Sequence, residues 1–301
     1  MASFKSWLSA LRPRTLFLAV ATALCGSGIA YSTNKFSVPV LILTIAIATI
    51  LQLLSNMAND LGDYQHGTDI TGERIGPLRT VQSGAITPKQ MKRGILIAIT
   101  LAAIVGALLI YVALQFMELK YILLFLLLGL ACIAAAIKYT AGKNPYGYKG
   151  FGDIFSFTFF GLVSVVGTYF LHTHIVDFMP WLPAIGLGLL TVAVLNLNNM
   201  RDVDNDKKSG KITIPVRIGL KNAKRYHALL TFGAVACFAI YSVIYGSRWY
   251  QYLYLFCFII FIKLLVDIFN IKENRLLDPY LKYTSMGTFI LSVCFSICIN
   301  L

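Results

Sequence analysis

Residues 38–54 read VPVLILTIAIATILQLL, and after Ser55 the chain continues NMANDLGDYQHGTD over 56–69. An apolar run of this length that ends in Asp60, Asp63 and Asp69 reads as a membrane-crossing helix with chemistry at its polar end. At about 1.5 Å per residue, the roughly 30 Å hydrocarbon layer takes about 20 mostly apolar residues. The composition of the whole chain agrees. It is 57% hydrophobic and 13% charged, with a mean hydropathy of +0.72, where a soluble domain carries about 25% charged residues. An integral membrane protein is expected and a soluble domain excluded.

The same ruler divides the 301 residues into nine candidate spans near 14–32, 38–58, 94–115, 120–138, 154–172, 180–199, 226–246, 249–269 and 284–301. Glycines 161, 167, 186 and 188 interrupt the fifth and sixth, which bundles tolerate because small residues let helix backbones approach. No linker or low-complexity tract divides the chain, so the expectation is all-α, one transmembrane domain over 1–301. The first apolar stretch follows Arg12-Pro13-Arg14 and is longer than a signal-peptide core, so no cleaved leader is expected. Residues 3–11, with Phe4, Trp7, Leu8 and Leu11, predict a short helix lying in the interface.

Lys and Arg collect in cytoplasmic loops. Of the 26 here, 23 fall in alternate connections on one side, leaving only Lys35, Lys120 and Arg248 on the other. The N-terminus is therefore expected to be cytoplasmic. The formal charge of +13 is polarised in this way, suiting anionic lipid and an anionic substrate rather than a nucleic acid.

The acids follow the same geography, which the charge rule does not require. Asp60, Asp63, Asp69 and Glu73 follow the second span; Asp202, Asp204 and Asp206 follow the sixth. In the first cluster Asn59 precedes Asp63 by four residues, and in the second Asn198, Asp202 and Asp206 repeat that step. Residues four apart share a helix face, so each motif projects a column of oxygen ligands. Oxygen-only donors with Asn beside Asp suit Mg²⁺, which completes its shell with waters and phosphate oxygens. One acidic cluster at a helix end is usually a solvated loop; two with the same spacing on one face favour a metal site. Between them lies YTAGKNPYGYKGFGD, 139–153. On its own this is a hairpin obeying the charge rule, but beside two metal sites Tyr139 and Lys143, with Lys149, become diphosphate donors. Arg79 is a further donor.

Other polar residues receive plainer readings. The six cysteines lie in or at the ends of apolar spans and are expected to pack as small hydrophobes. His172, His174 and Asp177 are a weak metal candidate on the opposite side, and Lys263 is expected to pair with Asp267 one turn away. A secondary transporter of an anionic substrate is the rival class, since intramembrane acids mark ion paths. Here the acids lie at helix ends on one side, which disfavours it.

The two Asn/Asp columns, the Tyr139/Lys143 step and the order of the spans resemble the UbiA-type membrane prenyltransferases over essentially the whole chain. Within that superfamily the stretches NDLGDYQHGTD, RIGPLRTVQSGAIT, YGYKGFGD and NNMRDVDNDKKSGK are most similar to the branch acting on 1,4-dihydroxy-2-naphthoate. The resemblance implies Mg²⁺ held by Asn59, Asp63, Asn198, Asp202 and Asp206. It further implies catalytic roles for Asp63, Asp202, Asp206, Tyr139 and Lys143, and diphosphate binding by Arg79, Lys143 and Lys149. The superfamily's last aspartate of the first motif falls on Gly67, and Asp69 is its candidate replacement. The implied reaction transfers a polyprenyl group from polyprenyl diphosphate to the naphthoate with loss of CO₂, in menaquinone biosynthesis at the cytoplasmic (inner) membrane. Another aromatic acceptor such as 4-hydroxybenzoate is the alternative.

Overall fold

The computed structural model describes residues 2–68 and 79–301. Asp69 and Glu73 lie outside the described residues. Twelve α-helices run in the order α1 Phe4–Leu11, α2 Leu16–Ser32, α3 Val38–Gln65, α4 Pro88–Leu114, α5 Leu119–Lys138, α6 Gly152–Ser156, α7 Gly167–Thr173, α8 Trp181–Arg201, α9 Val203–Lys208, α10 Ile214–Tyr245, α11 Phe258–Asn270 and α12 Asp278–Cys298. A π-helix, Phe157–Val166, joins α6 to α7, and 3₁₀ segments precede α2, α11 and α12. Among the described residues there is no strand, and nine helical stretches are long and apolar enough to cross a membrane. The protein is an all-α integral membrane bundle.

Local signals set the ends that matter for the site. Helix α1 is capped by Ser3 and stops at Arg12, which has a left-handed backbone (φ 49°, ψ 65°); Pro13 then opens the 3₁₀ turn into α2. The turn at Arg12 thus separates α1 from α2. Helix α4 starts in a Thr87/Gln90 capping box with Pro88 in its first turn, each partner satisfying a donor that the helix cannot. Helix α3 runs 28 residues, well past the membrane-length limit, so Asn59 and Asp63 stand on one continuous helix instead of in a following loop.

The core has two main parts. Ile29, Tyr169, Leu187, Phe238, Tyr254 and Phe295 form the larger one, where Phe295 meets Phe238, Tyr241 and Tyr254 edge-on at 5.0–5.2 Å between centroids, a favoured aromatic geometry. Leu54, Met57, Leu61, Ile86 and Met91 form the second, with Trp7 of α1 packed on it. Spans five and six touch through glycine: a Cβ on Gly161 would stand 2.7 Å from the Cα of Gly188. Gly167 faces a cavity instead, and its Cβ would meet nothing nearer than Phe125 at 3.8 Å.

The His and Cys readings resolve structurally. His172 binds Ser27 Oγ through Nε2 (2.9 Å) and accepts the Ser37 amide at Nδ1 (3.1 Å), while His174 Nε2 binds the Ala113 carbonyl (2.7 Å). All six cysteines are free. The Lys263–Asp267 pair does not form, and Lys263 is exposed.

Candidate active site

A cavity of about 480 Å³ lies among α2, α3, α4, α5, the π-helix and α8. Its wall is apolar for most of its course, with Ile47, Leu51, Ile110, Leu128, Phe159 and Val163 among the lining side chains. Asn59, Asp63, Arg79, Tyr139, Asn198 and Lys211 gather at its polar end.

Helix α3 supplies the first column. Asn59 Oδ1 accepts from Thr140 Oγ1 at 3.0 Å. Asp63 is buried, pairs with the Arg79 guanidinium and accepts the Tyr148 hydroxyl at 2.7 Å. Asp60 has a different task. Its carboxylate accepts the amides of Thr80 (3.1 Å) and Val81 (3.2 Å) and the Thr80 hydroxyl (2.8 Å), so it anchors the segment that delivers Arg79.

The second column bends without losing its spacing. Helix α8 ends at Arg201 and α9 begins at Val203, yet the Asp202 amide donates to Asn198 O (3.1 Å) and the Asp206 amide to Asp202 O (2.8 Å). Arg201, almost fully buried, grips Asp202 with Nε (2.9 Å) and Nη2 (2.6 Å). It also donates to Asn198 Oδ1 (2.9 Å) and pairs with Asp278. Asp278 in turn meets Arg14 at 3.2 Å, which ties the turn before α2 to the second column.

Lys211 joins the two columns. Gly210, at φ +74°, reverses the chain after α9, and Lys211 Nζ comes to 3.5 Å from Asp206 Oδ1 with both side chains buried. The same Nζ stands 5.7 Å over the Tyr148 ring, and the Ile212 amide donates to Tyr148 O (2.9 Å). Burial opposes the lysine's charge, but Asp206 and Asp63 outweigh it and hold the ammonium above its ordinary pKa. Burial, reinforced by Asp202 and Asp63 against Lys211, lifts Asp206 to about 6. Burial raises Tyr139 to about 12. Both acidic clusters therefore act on one electrostatic centre.

Two expected donors are elsewhere. Lys143 and Lys149 are exposed and do not line the cavity. The four-residue step from Tyr139 fails because α5 ends at Lys138 and the chain turns through Gly142 at φ +96°. Arg79 is at the site, engaged with Asp63. The carboxylates do not depend on metal alone for charge balance, since Arg79, Arg201 and Lys211 each face one of them. Lys211, Arg201 and Tyr148 lie inside the motif stretches, but spacing gives them no role; the Ser-Gly turn before Lys211 is the one local signal.

The donor set suits Mg²⁺. It is oxygen-only, and Asp206 Oδ2 is buried without a hydrogen-bond partner. Among the described residues no three acids form a ready-made cage, as expected for a cation that takes few carboxylates and completes its shell from phosphate and water.

Known proteins place the chain. Residues 19–278 match the UbiA prenyltransferase family. It is 41% identical to 1,4-dihydroxy-2-naphthoate octaprenyltransferase of Haemophilus influenzae over 97% of this chain and 95% of that protein. It is 39% identical to the enzyme of the same name from Escherichia coli, over 97% and 94%. The fold is shared with a UbiA homologue from Archaeoglobus fulgidus whose structure is described as bound to GPP and Mg²⁺ (TM-score 0.63, 16% identity, 97% of this chain and 99% of that one). With nine apolar spans among the described residues, and Asn59, Asp63 and Asn198 at the polar end of one cavity, the chain belongs to the UbiA prenyltransferase family and is a membrane prenyltransferase.

Proposed function

We propose that the protein transfers a polyprenyl group from polyprenyl diphosphate to 1,4-dihydroxy-2-naphthoate with loss of CO₂, giving demethylmenaquinol. The observation that carries this reading is the gathering of Asn59, Asp63, Asn198 and buried Lys211, which pairs with Asp206, at the polar end of one apolar cavity. The names of the relatives support that acceptor.

The apolar wall takes the isoprenoid tail and keeps water from the carbon that becomes cationic. Lys211 and Arg79 present fixed positive charge where the diphosphate leaves, which stabilises charge developing in the transition state. Asn59, Asp63, Asn198, Asp202 and Asp206 would hold Mg²⁺, which would supply further neutralisation of the leaving group. Tyr139 offers its ring face to the allylic cation. The C1–O bond to diphosphate breaks, and the naphthoate carbon bearing the carboxylate bonds to C1. The C–CO₂ bond then breaks and returns its electron pair to the ring.

The test is purified protein with Mg²⁺, a prenyl diphosphate and naphthoate labelled in its carboxyl group. Labelled CO₂ should appear in step with prenylated product, and only when all components are present. Prenylation of 4-hydroxybenzoate with its carboxylate retained, and none of the naphthoate, would reassign the acceptor.

A further inference from the structure

Glycine is the poorest helix former after proline, so a glycine inside a membrane helix calls for a reason. Packing is one. At Gly26, Gly62 and Gly186 a Cβ would fall 2.6–2.7 Å from an atom of a neighbouring segment, and their bare backbones let helices close on one another. Gly106 in α4, Gly129 in α5 and Gly167 at the start of α7 lack that reason. A Cβ on Gly106 would meet nothing nearer than Ile47 at 3.9 Å, one on Gly167 nothing nearer than Phe125 at 3.8 Å, and one on Gly129 nothing within 4 Å. None of the three is at a positive φ. All three line the cavity, as do Ile47 and Phe125.

Their depth follows from the helices whose ends carry the polar site. Gly129 lies ten residues before Tyr139, the cap of α5, or about 15 Å along the axis. Gly106 stands level with Ile47, twelve residues before Asn59 on α3, or about 18 Å. Gly167 stands level with Phe125, fourteen residues before Tyr139, or about 21 Å. Three helices thus omit a side chain at successive levels of the cavity's deep half. A geranyl tail, with two isoprene units, ends short of these levels, whereas a hexaprenyl tail, three times as long, runs past them. Each isoprene unit also carries a methyl branch, for which a bare backbone leaves room.

We infer that Gly106, Gly129 and Gly167 are specificity-determining residues for the prenyl donor, keeping the deep half of the cavity open to the isoprene units beyond the second. The inference rests on the proposed transfer from a polyprenyl diphosphate and adds which residues admit a long tail. The helix propensity given up at three positions is the cost of that room.

The test compares geranyl and hexaprenyl diphosphate as donors to one acceptor, with Mg²⁺, for the parent, Gly106→Leu, Gly167→Leu and Gly106→Ala. The parent should use hexaprenyl diphosphate at least as well as geranyl diphosphate. Each Leu variant should lower the hexaprenyl-to-geranyl ratio of kcat/KM by roughly 10- to 100-fold, the scale on which added methylenes change discrimination in an apolar pocket. Gly106→Ala should move the ratio the same way by less, and its melting temperature should equal or exceed the parent's because alanine favours the helix; it carries the test if a Leu variant fails to fold. Ratios within twofold of the parent's in every folded variant overturn the inference, as does a parent that transfers geranyl and not hexaprenyl. Because the ratio compares donors, it reads equally with 4-hydroxybenzoate, so loss of the naphthoate as acceptor leaves the tail filter standing. A parent that prenylates neither acid overturns the transfer reaction and the filter together.

Discussion

Lys211 Nζ stands 3.5 Å from Asp206 Oδ1, both side chains are buried, and Lys211 lines the polar end of an apolar cavity. A buried ion pair is weak evidence for stability, because desolvation offsets its attraction. Its position gives it another use: a fixed cation at the point where a prenyl donor would lose diphosphate. Lys211→Met should lower kcat/KM for prenyl transfer by about 100- to 1000-fold, as removal of one preorganised donor does elsewhere. Lys143→Ala should stay within about threefold, since Lys143 is exposed and surface changes away from a site are nearly neutral. Steady-state transfer assays on both variants check the assignment; the reverse order would return the role to Lys143.

Asp60 and Asp63 are neighbours with separable tasks. Asp60 accepts three hydrogen bonds from Thr80 and Val81, so Asp60→Asn should cost about 1–3 kcal/mol of stability and loosen the segment bearing Arg79. Asp63→Asn should lower turnover by roughly 100-fold or more at saturating Mg²⁺. Thermal melts in detergent paired with initial rates separate the two effects, and equal rate losses with equal melts would show that the distinction is wrong.

Metal removal gives a direct check on the oxygen columns. EDTA should abolish prenyl transfer and added Mg²⁺ should restore it. Asp206→Asn should raise the Mg²⁺ concentration needed for half-maximal rate by roughly tenfold or more, the scale on which metal-site substitutions act. Turnover that survives EDTA would take the metal out of the mechanism.

Gly62 lets the end of span four reach α3. A Cβ there would sit 2.7 Å from the Thr140 carbonyl carbon and 2.6 Å from its hydroxyl oxygen, and Thr140 is the residue that holds Asn59. Gly62→Ala should therefore destabilise by about 1–3 kcal/mol, the usual cost of overpacking, and reduce activity through Asn59. A variant with the parent's melting temperature and rate would show that the contact yields freely.

The distribution of Lys and Arg predicts a cytoplasmic N-terminus. Lys207 is exposed beyond the second column, as is Leu301 at the C-terminus. In a cysteine-free background, Lys207→Cys should react with a membrane-impermeant maleimide only from the cytoplasmic side, and Leu301→Cys only from the other. The opposite pattern would invert the bundle.

Much of this was legible before any folding. Span length, the short helix before Arg12 and the Asn59/Asp63 and Asn198/Asp202/Asp206 columns depend on residues close in sequence. Hydrophobic run length and four-residue spacing record such properties directly. The partners of those columns are not local. Tyr139 and Lys143 share a face only while α5 continues, and it stops at Lys138. Lys211 lies five residues beyond Asp206 and reaches it because Gly210 turns the chain back. Asp60 and Asp63 look equivalent in the motif; the segment packed against Asp60 makes one a clamp and leaves the other facing the cavity. The sequence by itself determined the membrane bundle and its ligand columns. Only the tertiary structure decided which cations meet them, because a buried charge takes its role from the groups that distant segments place around it.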